Sequence, residues 1–135
     1  MLAVLAILSV TVILAVPLLN RFSPGLELKS TARTVAAAMR EARALAIRDN
    51  GEVAVLIDLD NHLVSVGQGR NAAVINPRVG ISLYTAAEEL EGAGAGRIRF
   101  FADGTSTGGR VRLSLDGRQF DVTVNWITGG VTIDD

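Results

Sequence analysis

Few side chains in this sequence have the types and spacing needed for chemistry. The lone histidine, His62, closes the run Asp58-Leu59-Asp60-Asn61-His62, which gathers carboxylates and an imidazole in five positions. Oxygen ligands so close together suit a hard cation, but the run lacks the glycine and distant glutamate of an EF-hand loop, so a polar hairpin turn is the favoured reading. A Ser/His/Asp grouping would need the same histidine, and no serine sits in a nucleophile-elbow motif. Glu88, Glu89 and Glu91 read as a solvated loop edge rather than a general acid/base pair. Gly67-Gln68-Gly69-Arg70 has the glycines of a phosphate loop without a following helix to direct amides at an anion. With no cysteine, the chain has no thiol nucleophile, thiolate metal site or disulfide. These residues point away from an enzyme and imply no cofactor and no metal.

Positive charge is the other candidate chemistry. Lys29, Arg33, Arg40 and Arg43 fall on one narrow stripe at 100° per residue, able to meet lipid headgroups, acidic faces of neighbouring proteins or phosphate. The bland alternative is a solvated helix flank. Residues 20–50 hold six Lys/Arg against three Asp/Glu, whereas residues 51–135 hold seven against eleven. The acidic C-terminal part disfavours a globally basic nucleic-acid binder.

The elements that must position these residues begin with an apolar run. The composition is 49% hydrophobic but 4% aromatic, with a mean hydropathy of +0.36, and the apolar residues are concentrated at the start. Met1 to Leu19 carries no charge, and Ser9 and Thr11 can bond back to a helix backbone. Such a run, with Met1, Leu2, Leu5, Leu8, Val12 and Pro17 along it, would reach roughly 28 Å as a helix, near the ~30 Å hydrocarbon thickness of a bilayer. A cleavable secretory signal competes with this membrane-anchor reading, but it calls for a basic stretch ahead of the apolar run, and none is present. Pro17 cannot donate to the helix ladder and crowds the carbonyl of Ile13, so it either loosens the helix or is one of the prolines that spanning helices tolerate.

Arg21-Phe22-Ser23-Pro24-Gly25 reads as a break, followed by a helix from Leu26 to about Asn50. Leu28, Ala32, Val35, Met39, Ala42 and Ala46 recur at helical spacing and predict a stripe packed against a sheet. Asn50-Gly51 suits a left-handed cap. The period then becomes two. A hairpin is predicted from Val53 to Leu59 and Leu63 to Val66, a loop over 67–78, a short strand over Gly80 to Tyr84 and an irregular connection over 86–96. Further strands are expected over Ile98 to Ala102, Arg110 to Leu115, Phe120 to Trp126 and Val131 to Ile133, divided by glycine turns. Phe100, Phe101, Phe120 and Trp126 sit at strand positions, and at least one aromatic per strand is expected to anchor the sheet against the helix; Gly104 to Gly109 is expected to form a flexible exposed turn. The fold class is α+β: a membrane span over 1–19, an amphipathic helix over 20–50, and an antiparallel β head over 51–135 with the helix on one sheet face.

The whole chain resembles the GspH/FimT group of the type IV pilin superfamily. The resemblance rests on the element order, on Arg40-Glu41-Ala42-Arg43-Ala44-Leu45-Ala46, on Ile98-Arg99-Phe100-Phe101-Ala102-Asp103-Gly104-Thr105-Ser106-Thr107-Gly108-Gly109, and on Trp126-Ile127-Thr128-Gly129-Gly130-Val131. It implies a pilin-like fold and a minor pseudopilin of bacterial type II secretion. Such a subunit spans the inner membrane once, holds its head in the periplasm and assembles with other major and minor pseudopilins. It further implies a leader cut by prepilin peptidase, with N-methylation at a Gly-Phe-Thr-Leu-Ile-Glu type motif. Met1-Leu2-Ala3-Val4-Leu5 looks like the stretch just after that motif, so the chain is expected to be truncated or to start at an internal methionine. The alternative is a FimT-like pilin of a type IV pilus that takes up DNA. The Gly-Arg-x-Arg motif of such pilins is replaced near the C-terminus by Gly129-Gly130-Val131-Thr132; only Gly109-Arg110-Val111-Arg112 offers the letters, on an earlier strand. DNA is accordingly the less favoured partner.

Overall fold

The computed structural model describes residues 24–68 and 71–135. The expected span over Met1 to Leu19, with Met1, Leu2, Leu5, Leu8, Val12 and Pro17, lies outside them. Among the described residues, no helix is long and apolar enough to cross a membrane.

Helix α1 runs Pro24–Asp49. Pro24 and Gly25, expected in a break, instead open the helix; proline is tolerated in a first turn because its missing N–H would have had no helical partner there. Glu27 places negative charge at the positive end of the helix dipole. At the other end Asn50 takes φ +50° and the Gly51 amide returns to the Ala46 carbonyl at 3.1 Å. This is the six-to-one bond of a Schellman cap, with asparagine rather than glycine in the left-handed position. Leu28, Ala32, Val35, Ala36, Met39, Ala42 and Ala46 are all fully buried.

Among the described residues, nine strands follow: β1 Val53–Asp58, β2 Leu63–Val66, β3 Asn71–Val74, β4 Gly80–Tyr84, β5 Leu90–Glu91, β6 Ala95–Phe100, β7 Gly109–Leu115, β8 Arg118–Val124 and β9 Val131–Asp134. They form two antiparallel sheets, ordered β3-β2-β1-β6-β5 and β4-β7-β8-β9, where a single sheet face had been expected. The chain changes sheet between β3 and β4, returns at β5, and crosses again between β6 and β7. Gly109 makes the last crossing at φ +155°, where a Cβ would lie 2.8 Å from the Tyr84 carbonyl and 3.0 Å from Ile98 Cδ1. Only glycine fits that approach.

One core serves both sheets. Inward side chains alternate along each strand: Val55 and Ile57 of β1, Ile98 and Phe100 of β6, Val111 and Leu113 of β7, and Val122 and Val124 of β8 close on the buried face of α1. The register sets Val55 opposite both Val66 and Ile98, and Val111 opposite Val122.

Three sequence expectations are corrected. The loop expected over 67–78 contains β3, paired with β2, and buries Ile75. Small residues gave Asn71-Ala72-Ala73-Val74 too little alternation to register as a strand. The turn from Gly104 to Gly109 is not exposed throughout: Gly104, Ser106 and Gly108 are buried, and the Ser106 hydroxyl donates to the Arg99 carbonyl at 2.8 Å while accepting from the Gly108 amide at 3.0 Å. Finally, the strand expected from Phe120 to Trp126 spans Arg118–Val124, so Trp126 lies past its end with 65% of its surface exposed, while Phe100 is in the core and Phe120 packs against it.

Candidate functional site

The polar clusters that invited chemical readings are internally satisfied. Asp58 Oδ1 accepts the amides of Asp60 at 3.1 Å and Asn61 at 3.0 Å, and Asn61 Nδ2 donates to Asp58 Oδ2 at 2.8 Å. The bonds from Asn61 hold the Asp58 carboxyl below the usual range. His62 takes φ +52° and its Nε2 lies 3.1 Å from the Val79 carbonyl. Among the described residues, no three His, Asp or Glu side chains are placed to hold a metal ion.

The acidic run is not simply a solvated edge. Glu89 takes both arms of the Arg99 guanidinium, at 3.1 and 3.3 Å, and Glu52 adds a contact at 3.3 Å. Glu91 pairs with Arg97. Alternation along β6 sends both arginines outward, and the β5 segment folds back beside them.

The basic residues divide by partner. Arg112 forks onto Asp121 at 2.9 and 3.0 Å and stands 5.8 Å from the Tyr84 ring centroid; Arg110 reaches the same carboxylate at 3.9 Å. Asp121 is held below the usual carboxylate range, chiefly by the hydrogen bond from Arg112. The pair offered as a polyanion contact therefore shares one counter-charge. On α1, Arg40 donates to the Val131 carbonyl at 3.2 Å and Arg43 to the Gly104 carbonyl at 3.0 Å. Lys29 and Arg33 project from the exposed surface of the helix. The predicted stripe is thus half clasp and half surface.

The clasp shapes the most exposed apolar feature at this end of the head. The loop over 125–130 is turned by Asn125, whose Oδ1 accepts the amides of Ile127 at 2.8 Å and Thr128 at 3.2 Å. The Gly129 amide returns to the Asn125 carbonyl at 2.8 Å, and the Ser106 amide holds the Trp126 carbonyl at 3.0 Å. Gly129 is buried at φ +67°, and a Cβ there would run into the Gly104 carbonyl and lie 2.8 Å from Arg43 Nε. With its backbone so constrained, the loop turns Trp126 and Ile127 outward, 65% and 59% exposed. Trp126 shares a groove with Tyr84, Leu90 and Val124. Sequence reasoning placed this tryptophan at the end of a strand; the signal available was the bracketing of Trp126-Ile127 by Asn125 and Gly129-Gly130, which marks a loop tip.

At the opposite end of the head, where the chain enters α1, a second groove is lined by Leu26, Lys29, Arg118, Phe120 and Asp135. Between the two ends, the exposed face of α1 carries Ser30, Ala37 and Ala44 at intervals of seven. Side chains this small permit another helix to approach closely.

Residues 31–129 match the family described as Type II transport protein GspH. The chain is 33% identical over 132 residues to Type II secretion system protein H of Xanthomonas campestris pv. campestris, covering 97% of this chain and 77% of that protein. The minor pseudopilin EpsH from the Type 2 Secretion System of Vibrio cholerae has a similar fold, with a TM-score of 0.62 and 14% identity over 79% of this chain and 95% of that one. The type IV minor pilin FimU of Pseudomonas aeruginosa is also similar, with a TM-score of 0.57 and 16% identity over 81% of this chain and 89% of that one.

Proposed function

The chain belongs to the GspH family and is a minor pseudopilin of type II secretion, and on that premise we propose that it works as a structural subunit packed among other major and minor pseudopilins. The observation that carries this reading is the division of α1 into two faces. One is consumed by the head's own core, while the other presents Ser30, Ala37 and Ala44 to the outside. A helix whose inner face holds a head and whose outer face stays open to a neighbouring helix is suited to assembly rather than catalysis. The family is one of structural subunits.

In the same reading, Met1 to Leu19 anchors the protein once in the inner membrane, the head stands in the periplasm, and prepilin peptidase trims a leader before assembly. Lys29 and Arg33 are the first described basic residues after the anchor in sequence and are suited to acidic headgroups or to acidic flanks of neighbouring subunits. DNA binding through Arg110 and Arg112 is disfavoured, because Asp121 takes charge from both.

The test is expression of the chain with a leader in cells carrying the secretion system. Cleavage by prepilin peptidase and recovery with other pseudopilins are expected; a subunit neither cut nor recovered would overturn the proposal. A DNA titration at two salt concentrations runs beside it. Salt-sensitive retention lost on Arg110→Ala with Arg112→Ala would move the chain to the DNA-uptake pilins.

A further inference from the structure

We propose that the free edge of β3 takes up an extended strand from the head of a neighbouring pseudopilin, by backbone pairing that lengthens the first sheet. The proposal rests on the assembly reading above and names the surface through which that neighbour's head is held.

Hydrogen bonds fix which backbone groups the edge offers. The Ile75 amide meets the His62 carbonyl at 2.8 Å, and the register sets Leu63 opposite Val74 and Ser65 opposite Ala72. Bonded and non-bonded pairs alternate along an antiparallel ladder, so Val64 and Ala73 exchange bonds while the N–H and C=O groups of Ala72 and Val74 point away from β2. The Gly67 amide on the Ala54 carbonyl, at 2.9 Å, gives the same alternation from the β1 side, where Leu63 and Ser65 are the residues that bond. Ala72 and Val74 are exposed, and no described residue takes up these outward groups. From Asn71 to Ile75 the edge carries no charge and no proline, two common devices that keep a free edge from pairing. The other edges are blunted. β5 is two residues long, and β9 ends at Asp134 and gives its Val131 carbonyl to Arg40. β4 leans on the other sheet, with Leu83 over Gly96 and the Thr85 hydroxyl donating to the Arg97 carbonyl at 2.8 Å.

The offered groups and their surroundings select the occupant. A row of main-chain donors and acceptors is matched by another main chain in extended form, not by a lipid or a nucleic acid. A second copy offering the same edge is excluded by the anchor. Two β3 strands pair antiparallel about a two-fold axis perpendicular to the sheet. Because α1 lies against the face of that sheet, the axis would reverse it and send the two anchors in opposite directions, where one membrane holds both. The location supplies the remaining step. The groove beside the edge is lined by Val74 and Ile75 and, from the first turns of α1, by Glu27, Ser30 and Thr34. Ser30 belongs also to the open face of α1 that meets a neighbouring subunit, so the subunit covering that face brings its head alongside β3. The added strand carries apolar side chains on one face, continuing Val74 and its cross-strand neighbour Leu63. Its other face is small or polar toward the hydroxyls of α1, with no acid near Glu27, whose carboxylate already accepts from Asn76 Nδ2 at 2.9 Å.

The absence of cysteine makes the test direct. Val74→Cys in the full chain, labelled with a benzophenone maleimide, is irradiated in membranes of cells carrying the whole secretion system. Thr132→Cys, at an exposed position of β9, is the control. A cross-link from position 74 to the head of another pseudopilin, absent from position 132, is expected. Adding Ala72→Pro removes an outward amide without touching the ladder to β2, and should lower the cross-linked fraction roughly tenfold. The thermal midpoint should stay within about 3 °C of the parent, whereas Ala73→Pro, which removes an amide bonded to β2, should lower it by roughly 10 °C. Ala72→Lys, which charges the edge and keeps the amide, should lower the cross-link as well and decides the matter where proline unfolds the strand. A subunit still recovered with other pseudopilins, but cross-linked no better from 74 than from 132, or undiminished in Ala72→Lys, would overturn this surface and leave the assembly reading standing. A cross-link to a second copy alone, to a secreted protein alone, or to lipid would overturn it too. Loss of recovery of the unsubstituted chain would remove both proposals.

Discussion

Two turns in this molecule are built by one local device and put to different ends. At residues 58–62, Asp58 Oδ1 accepts the amides two and three positions on; at residues 125–130, Asn125 Oδ1 does the same. The first turn spends its polar groups on itself, so its tip is Asp60 and Asn61. The second is also gripped from outside, by the Gly129 approach to Gly104 and by the Ser106 amide, and its tip is Trp126 and Ile127. The local motif makes a turn; contacts from distant elements turn it into a presented surface.

The largest expected effect comes from filling the grip. Gly129→Ala places a Cβ against the Gly104 carbonyl at a positive φ, in a buried position, and should cost about 2–4 kcal/mol by the usual sum of overpacking and backbone strain. Gly67→Ala, at φ +63° with open space around it, is the matched control and should cost about 1 kcal/mol. Denaturant unfolding of both compares them; equal losses would mean that the packing of Gly129 on Gly104 adds nothing.

Next is Asn125→Ala, which leaves two amides without their acceptor. A loss of about 1 kcal/mol is expected, with enhanced amide exchange at Ile127 and Thr128 as the local readout. Arg43→Met, which keeps the apolar stem and removes the bond to Gly104, should cost about 1 kcal/mol and free the loop without unfolding the head. If tryptophan fluorescence anisotropy is unchanged in Arg43→Met, the clasp does not restrain the loop. Trp126→Ser should shift stability by no more than about 0.5 kcal/mol, since its side chain packs little within the head.

The smallest effect distinguishes carboxylate from amide. The Asp58 carboxyl titrates below its unfolded value of about 3.9. What it contributes is present above that value and fades as the pH falls through the lower folded one. Asn125 has no proton to take up in that range. The amide shifts of Asp60 and Asn61 should therefore titrate with a midpoint under 3.9 while those of Ile127 and Thr128 stay flat. A midpoint at or above that of a free aspartate would remove the distinction.

How far each element could be read from residues varied with the range of the interaction behind it. The buried stripe of α1 and its Asn50-Gly51 cap rest on bonds and spacing within a few residues. The β1–β2 hairpin and the strands from β6 to β9 came close for the same reason, since alternation and glycine turns are local. The β3 strand was missed because alanine pairs carry no alternation. None of these charged residues was read with its partner: Arg43 with Gly104, Arg99 with Glu89 and Arg112 with Asp121 are meetings across folded elements.

Trp126 separates the two kinds of knowledge most clearly. By its residue types alone the chain determines an apolar start, an amphipathic helix, an alternating head without cysteine, and the motifs shared with its family. These follow from periodicity and from the conformational limits of glycine, proline and asparagine, which each residue carries wherever it stands. Only the tertiary structure decided that the strands divide into two sheets over one core, that Arg43 and Arg40 of α1 reach carbonyls in the Gly104 turn and at the start of β9, and that the tryptophan is held outward. Those outcomes depend on which distant backbones approach within hydrogen-bonding distance, a property of the assembled head and not of any one segment.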